Sequence, residues 1–305
     1  MHEALPPPHT VEVADRVFAY IQPDGSWWLN NTGFVVGAED VVAVDATSTE
    51  KRTRALLEAI SDVTPRPVGT LVNTHHHGDH TNGNCLFTHA TVVGHRRCRE
   101  GVLAQVIGGL DGVFGHVEWG DLTIRAPEVV FDDALTVYAG DVRIDLCYIG
   151  TPAHTTNDVV AWLPEQKVLF TGDLVFNGGT PFMLMGSVAG VLDALPRLRA
   201  FGAKTLVPGH GPVCDPASID DVERYAKYVI DLAVAARAAG LSPLEAAAES
   251  DLGEFADWHD RERIVGNLHR AMAELSGLER GGAIDIIAAF GDMITFNGGT
   301  LRCLA

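Results

Sequence analysis

The stretch "VNTHHHGDHTNG", residues 72–83, places His75, His76, His77, Asp79 and His80 within six consecutive positions, directly after the apolar run 68–72. A short apolar run of this kind reads as a buried strand, and the C-terminal ends of strands are where an α/β scaffold presents its chemistry. The cluster therefore requires a fold that carries a strand end to an open edge. Three further strand-like runs end on ligand-type residues: "TPAHTTND" with His154, "FTGD" with Asp173 and "PGHGP" with His210. A lone histidine is usually a hydrogen-bonded bystander. Imidazoles and carboxylates recurring at four strand ends instead have the chemistry of zinc, which takes both ligand types at about 2.0–2.2 Å. Iron or manganese would suit the same cysteine-free set.

The rest of the pattern up to about Leu206 alternates strands with a few amphipathic helices. Residues 11–21 read as one half-buried strand, 33–46 as a hairpin turning at 37–40, and 48–61 as a helix capped by Ser48 and stopped by Pro65 and Pro67. Strands are expected at 68–73, 142–150, 159–173 and 205–207, with a helix over 188–201. Each half looks like a sheet with covering helices, the two stacked sheet to sheet, which makes the chain α/β (α+β). From Pro216 onward the pattern is helical, with acids in the first turns and Gly240 as a stop. These boundaries divide the chain into a mixed domain, residues 10–215, and a helical extension, residues 216–305, packed on it as a lid or as a homodimer contact.

Composition narrows the classes. A formal net charge of −18 disfavours a nucleic-acid partner, since such binding needs Lys and Arg on phosphates. The sequence has no apolar run of the roughly 18–20 residues that span a bilayer, and "MHEALPPPHT" has neither the basic nor the apolar segment of a secretory signal, so a cytoplasmic protein without a membrane partner is expected. The five cysteines form no CxxC pair, which argues against a disulfide framework or a thiolate zinc knuckle.

"HHHGDH" fits the HxHxDH signature of the metallo-β-lactamase superfamily, and His154, Asp173 and His210 follow in that family's order, so residues 11–212 resemble it. The resemblance implies an αββα sandwich with a C-terminal helical extension and two Zn2+ at one edge. It assigns His75, His77 and His154 to the first metal, Asp79, His80 and His210 to the second, and Asp173 to both. His76 falls at the variable position and receives no metal. His2, His9, His89, His95, His116, His259 and His269 have no ligand context. Two zinc ions, two aspartates and a hydroxide leave the site about one unit positive, so a developing oxyanion is attracted even in an acidic protein. Metal coordination lowers the pKa of water to roughly 7, and Asp79 is the candidate catalytic proton shuttle.

An aspartate at position 173 resembles the glyoxalase II-like, lactonase-like and thioesterase-like members more than true β-lactamases, which implies hydrolysis of a thioester or lactone. The segments "TPFMLMGSVAG", "DLGEFADW", "NLHRAMAEL" and "FNGGTLRCLA" are similar to the cyclase/thioesterase group of aromatic polyketide pathways in actinomycetes. That likeness implies a small-molecule or carrier-bound acyl substrate. Trp28, Phe176, Phe182 and Met183 are the candidate substrate contacts, because aromatic and methionine side chains suit a flat, apolar acyl group. β-Lactamase and glyoxalase II-like hydrolysis stand as alternatives. An iron-dependent persulfide dioxygenase and a non-catalytic binding protein are the alternatives from other classes.

Overall fold

A computed structural model describes residues 5–110 and 112–305, so His2 lies outside the described residues. The N-terminal half forms a seven-stranded sheet in sequential order: β1 (His9–Ala14), β2 (Val17–Ile21), β3 (Thr32–Val36), β4 (Val41–Val44), β5 (Val68–Asn73), β6 (Thr91–His95) and β7 (Val129–Phe131). The first four strands make an antiparallel meander, and β4 through β7 run parallel. The single strand expected over residues 11–21 is a hairpin, with Arg16 in the left-handed region at φ 61°. Gly37 donates to the Asp40 carbonyl and closes the β3–β4 hairpin as expected.

The second sheet holds β8 (Ala134–Ala139), β9 (Val142–Tyr148), β10 (Val159–Leu163), β11 (Val168–Phe176) and β12 (Thr205–His210), in the order β12-β11-β10-β9-β8. Only the β11–β12 pair is parallel, joined through α4 (Val188–Ala200). Alternating β-branched residues let the two sheets interdigitate: Val17, Val35, Val42 and Val72 from one meet Ile144, Leu146, Val168 and Phe170 from the other. On the outer face of the first sheet lies α1 (Glu50–Val63), which buries Leu56 and Ile60 against Phe34 and Leu71; α2 (Gly78–Thr81) follows β5 and α3 (Arg96–Ala104) follows β6. Its N-cap is Thr49, whose hydroxyl accepts from the Arg52 N–H, one residue beyond the expected Ser48.

The outer face of the second sheet carries α4 and the C-terminal helices α5 (Ser218–Ala239), α6 (Pro243–Glu249), α7 (Arg263–Leu275) and α8 (Ile286–Asn297). The layers are therefore α–β–β–α with a helical extension. Leu169, Leu174 and Val175 of the second sheet's layer share one apolar cluster with Val222, Val229, Ile264 and Phe290 of the extension. Gly240 ends α5 in the left-handed region at φ 74°, which accounts for a glycine at that stop. Among the described residues no helix is long and apolar enough to cross a membrane.

Candidate metal centre

Four segments at one edge of the sandwich supply the cage, two of them loops and two of them strands, where the sequence pattern predicts a loop after each strand. β5 ends at Asn73 and the chain continues through His75 and His77 into a single helical turn, α2 (Gly78–Thr81), which carries Asp79 and His80. His154 sits in the loop between β9 and β10, Asp173 lies within β11 and His210 is the last residue of β12. The ligand-type atoms of His75, His77, His154 and Asp173 lie within 4.8 Å of one another, and so do those of Asp79, His80, Asp173 and His210. Asp173 is common to both groups. Its Oδ2 is 3.3 Å from His154 Nε2 and 3.4 Å from His210 Nε2, while Oδ1 is 3.0 Å from His80 Nε2. Asp79 Oδ2 is 3.2 Å from His210 Nε2 and 3.6 Å from His80 Nε2. Gly209 makes this possible: a Cβ there would stand 1.9 Å from Asp173 Oδ1.

Four of the five cage imidazoles are aimed by their other nitrogen, while His77 Nδ1 lies 2.8 Å from His154 Nε2. His80 Nδ1 is 2.8 Å from Asp45 Oδ2, His154 Nδ1 is 2.5 Å from the Phe182 carbonyl, His210 Nδ1 is 3.0 Å from the Gly25 carbonyl and His75 Nδ1 is 3.0 Å from Thr74 Oγ1. A carbonyl oxygen only accepts, so His154 and His210 each carry a proton on Nδ1 and turn Nε2 toward the cage. Asp45 is buried and also accepts from the Thr74 N–H and hydroxyl, which ties its carboxylate to the start of the histidine loop.

The electrostatics divide the cage. Burial drives His75 and His77 well below the ordinary imidazole range. At His80 burial also acts downward, but Asp173, Asp79 and Asp45 outweigh it and hold the ring well above that range; His210 is pushed up to about 9 in the same way, with Asp173 the main opponent of burial. For Asp173, burial favours the neutral acid, yet His210, His80 and His154 hold its carboxyl well below the usual carboxylate range. Burying so many titratable groups is unfavourable unless a charge of the right sign lies among them. His75 Nε2, His80 Nε2 and Asp173 Oδ1 are buried and make no well-aligned hydrogen bond, although the last two stand 3.0 Å apart, and all three belong to the two ligand groups. Orphaned nitrogen and oxygen donors at this spacing fit a pair of divalent cations.

The cage opens into a cavity of about 440 Å3. Trp28, Phe114 and Trp119 form one wall, with ring centroids 5.5 Å apart for Trp28–Phe114 and 4.7 Å for Trp28–Trp119. Phe176 and Phe182 line it beside the cage, and Ile286 and Phe290 of α8 close another side. Phe176 stacks on His210 at 5.0 Å, so the apolar wall reaches the metal cage itself.

A family model described as the metallo-beta-lactamase superfamily matches residues 25–210, more than half of the 305 residues. The chain belongs to the metallo-beta-lactamase superfamily. Among curated proteins, hydroxyacylglutathione hydrolase of Rhodospirillum rubrum is 34% identical over 137 residues, 45% of each chain. Metallo-beta-lactamase type 2 of Bacteroides fragilis is 23% identical over 214 residues, covering 66% of this chain and 78% of that one. The match spans about half or less of the length of the first curated relatives, from 31% to 51%. A solved metallo-beta-lactamase from Pontibacter korlensis shares the fold with a TM-score of 0.59 at 22% identity, over 72% of this chain and 99% of that one.

Within this superfamily member the expected positions fall as follows. His75, His77, Asp79, His80, His154, Asp173 and His210 come together at the cage, and Trp28, Phe176 and Phe182 line the cavity. Met183 does not line it. Its side chain is 1% exposed in the core and its N–H donates to Asn267, because the 180–184 segment is bonded to α7; Met185, two residues on, faces the cavity instead. His76 also lines the cavity, with Nδ1 2.9 Å from Asn157 Nδ2 and the ring against Gly101, where a Cβ would come within 2.6 Å. Sequence reasoning passed over Asp45, although an acid closing the apolar run "VVAVDA" repeats the pattern of "FTGD".

Proposed function

We propose that the protein is a metal-dependent hydrolase that cleaves the thioester of a bulky, apolar acyl group. The observation that carries this reading is the double cage sharing Asp173 and opening directly onto an aromatic-walled cavity. In this reading His75, His77 and His154 would hold one cation, Asp79, His80 and His210 would hold the other, and Asp173 would be open to either; zinc suits the donor set. Bound there, the cations supply a water of lowered pKa and polarise the acyl carbonyl. The chain's own residues do the rest. The aromatic wall excludes bulk water and holds the acyl group, and Phe176 limits how it can approach His210. The Asp79 side chain, 13% exposed against 4% or less for its cage partners Asp173, His80 and His210, is placed to take the proton of the attacking water and pass it to the departing sulfur as the carbon–sulfur bond breaks.

The likeness to hydroxyacylglutathione hydrolases, whose name specifies an acyl group on a thiol, supports a thioester over a lactam. The resemblance of the C-terminal segments to aromatic polyketide cyclase/thioesterases gives a narrower version, in which the acyl group is a carrier-bound aromatic. The T-shaped trio of Trp28, Phe114 and Trp119 suits such a plane. The test is elemental analysis of purified protein followed by turnover of aromatic and aliphatic acyl-thioesters, an acyl-homoserine lactone and a chromogenic cephalosporin. Two metal equivalents with preference for an aromatic thioester is the expected result. Preference for the cephalosporin, or iron with oxygen uptake, would replace this reading.

A further inference from the structure

The loop after β11 is held by α7 through three side chains on one helical face, at spacings of four and three residues. Arg263 donates to the Thr180 carbonyl at 2.9 Å, Asn267 to the Pro181 carbonyl at 2.8 Å and Arg270 to the Leu184 carbonyl at 2.8 Å. Asn267 does more than anchor the loop. Its Oδ1 accepts from the Met183 N–H at 2.7 Å, its amide also donates to the Tyr225 hydroxyl at 3.0 Å, and the residue is 0% exposed. The amide orientation is fixed by chemistry, since the Met183 N–H can only donate and the Pro181 carbonyl can only accept.

The Met183 N–H and the Phe182 C=O belong to one peptide group. On one side that peptide donates to Asn267; on the other its carbonyl faces His154 Nδ1 at 2.5 Å. A donor bond on the N–H polarises the carbonyl and strengthens what it accepts. It also fixes the plane of the peptide, and with it the direction in which His154 Nε2 points. We propose that Asn267, a residue of the helical extension, is a positioning residue that sets the tautomer and aim of His154 through the Phe182–Met183 peptide. This rests on the reading of His154 as a metal ligand given above. Arg263 and Arg270 hold the same loop without bonding that peptide, so a purely structural role for α7 would treat all three alike.

The experiment uses the full chain loaded with Co2+, titrating the two equivalents separately by chelator competition and recording the visible cobalt bands. His154→Ala identifies which equivalent belongs to His154. Asn267→Leu is expected to weaken that equivalent by about 10–100-fold and to shift its band, with little effect on the other. Asn267→Asp keeps an acceptor for the Met183 N–H but turns its other oxygen toward the Pro181 carbonyl, so it lowers the melting temperature while holding the affinity to within several-fold of wild type. Arg270→Met lowers the melting temperature but leaves both affinities in place. A folded Asn267→Leu protein with wild-type affinities, or with both equivalents weakened alike, overturns the proposal. Should that variant not fold, the ring nitrogens of metal-free protein decide: long-range 1H–15N correlation is expected to show His154 on the Nδ1–H form in the wild type and a mixture in Asn267→Ser. An unmixed Nδ1–H form in Asn267→Ser overturns the proposal. Wild-type protein that takes up no cobalt while keeping the Nδ1–H form would instead remove the metal-centre reading and leave this hydrogen-bond chain standing.

Discussion

Replacing Asp45 by asparagine tests whether a group that touches no substrate controls the second metal position. The carboxylate accepts three bonds: Oδ1 from the Thr74 N–H at 2.8 Å, and Oδ2 from the Thr74 hydroxyl at 2.7 Å and His80 Nδ1 at 2.8 Å. An asparagine keeps one acceptor and turns the other into a donor. With the amide nitrogen toward Thr74, two N–H groups face each other in a site that is 2% exposed. With it toward His80, the ring must accept on Nδ1 and move its proton to Nε2, the atom that faces Asp173 at 3.0 Å. Either choice costs about 1–3 kcal/mol for an unsatisfied buried group, and the second also blocks a ligand atom. Partners of this kind are worth about 10–100-fold in metal affinity, or roughly 1.4–2.7 kcal/mol. Chelator competition on Asp45→Asn is thus expected to weaken one metal equivalent by that factor and to spare the one held by His75, His77 and His154. Wild-type affinity for both equivalents in a folded variant would refute the reasoning.

Two other perturbations follow from the same geometry. Gly209→Ala puts a methyl group 1.9 Å from Asp173 Oδ1 and 2.8 Å from the Gly172 carbonyl carbon, so the backbone beside Asp173 must shift; elemental analysis should find fewer than two metals and the melting temperature should fall. Asp260 is raised to about 6 by burial, with Arg263 opposing. A carboxyl raised in the folded state contributes stability that is complete below its unfolded pKa of 3.8 and is lost as pH rises through about 6, so the denaturation free energy of wild type relative to Asp260→Asn should fall between pH 4 and 6; a flat difference would contradict the burial argument.

The cage positions were legible because His75 to His80, His154 and His210 lie at or beyond strand ends, where the apolar pattern stops; Asp173 was found the same way although β11 runs on through it to Phe176. Positions that depend on tertiary bonds were not legible. The turn at Asp15 and Arg16 has no glycine or proline to mark it, so two short strands read as one. Strand β7 has only three residues and β8 alternates exposed and half-buried positions, so neither left an apolar run to find; β6 is buried beyond Thr91, but its apolar part is only the pair Val92 and Val93 before a glycine. Met183 was placed in the pocket by composition, but bonds from α7 fix the loop's path and turn Met185 there instead. Asn267, Arg263 and Arg270 sit on the inward face of a helix where periodicity predicts apolar side chains, and nothing local distinguishes a buried polar residue with partners from a break in the pattern.

The boundary read near residue 215 marks a change of composition, and the packing argues that it is not a boundary between folding units. Leu174, Val175, Phe182, Met183, Leu184 and Leu198 lie in the apolar cluster that α5, α7 and α8 complete. Trp27, from the loop before β3, donates to Glu262 at 2.7 Å and lies 4.0 Å from the Arg263 guanidinium carbon. Removing residues 216–305 would return those side chains to water at about 1.5–3 kcal/mol each for a fully buried one. Loss of cover over half a dozen of them rivals the 5–15 kcal/mol that keeps a whole protein folded. A chain ending at residue 215 is therefore expected to be insoluble or to bind a hydrophobic dye without a cooperative melt. A truncated protein that melts cooperatively within a few degrees of the full chain would show that the sandwich supports itself and that the helices are an accessory.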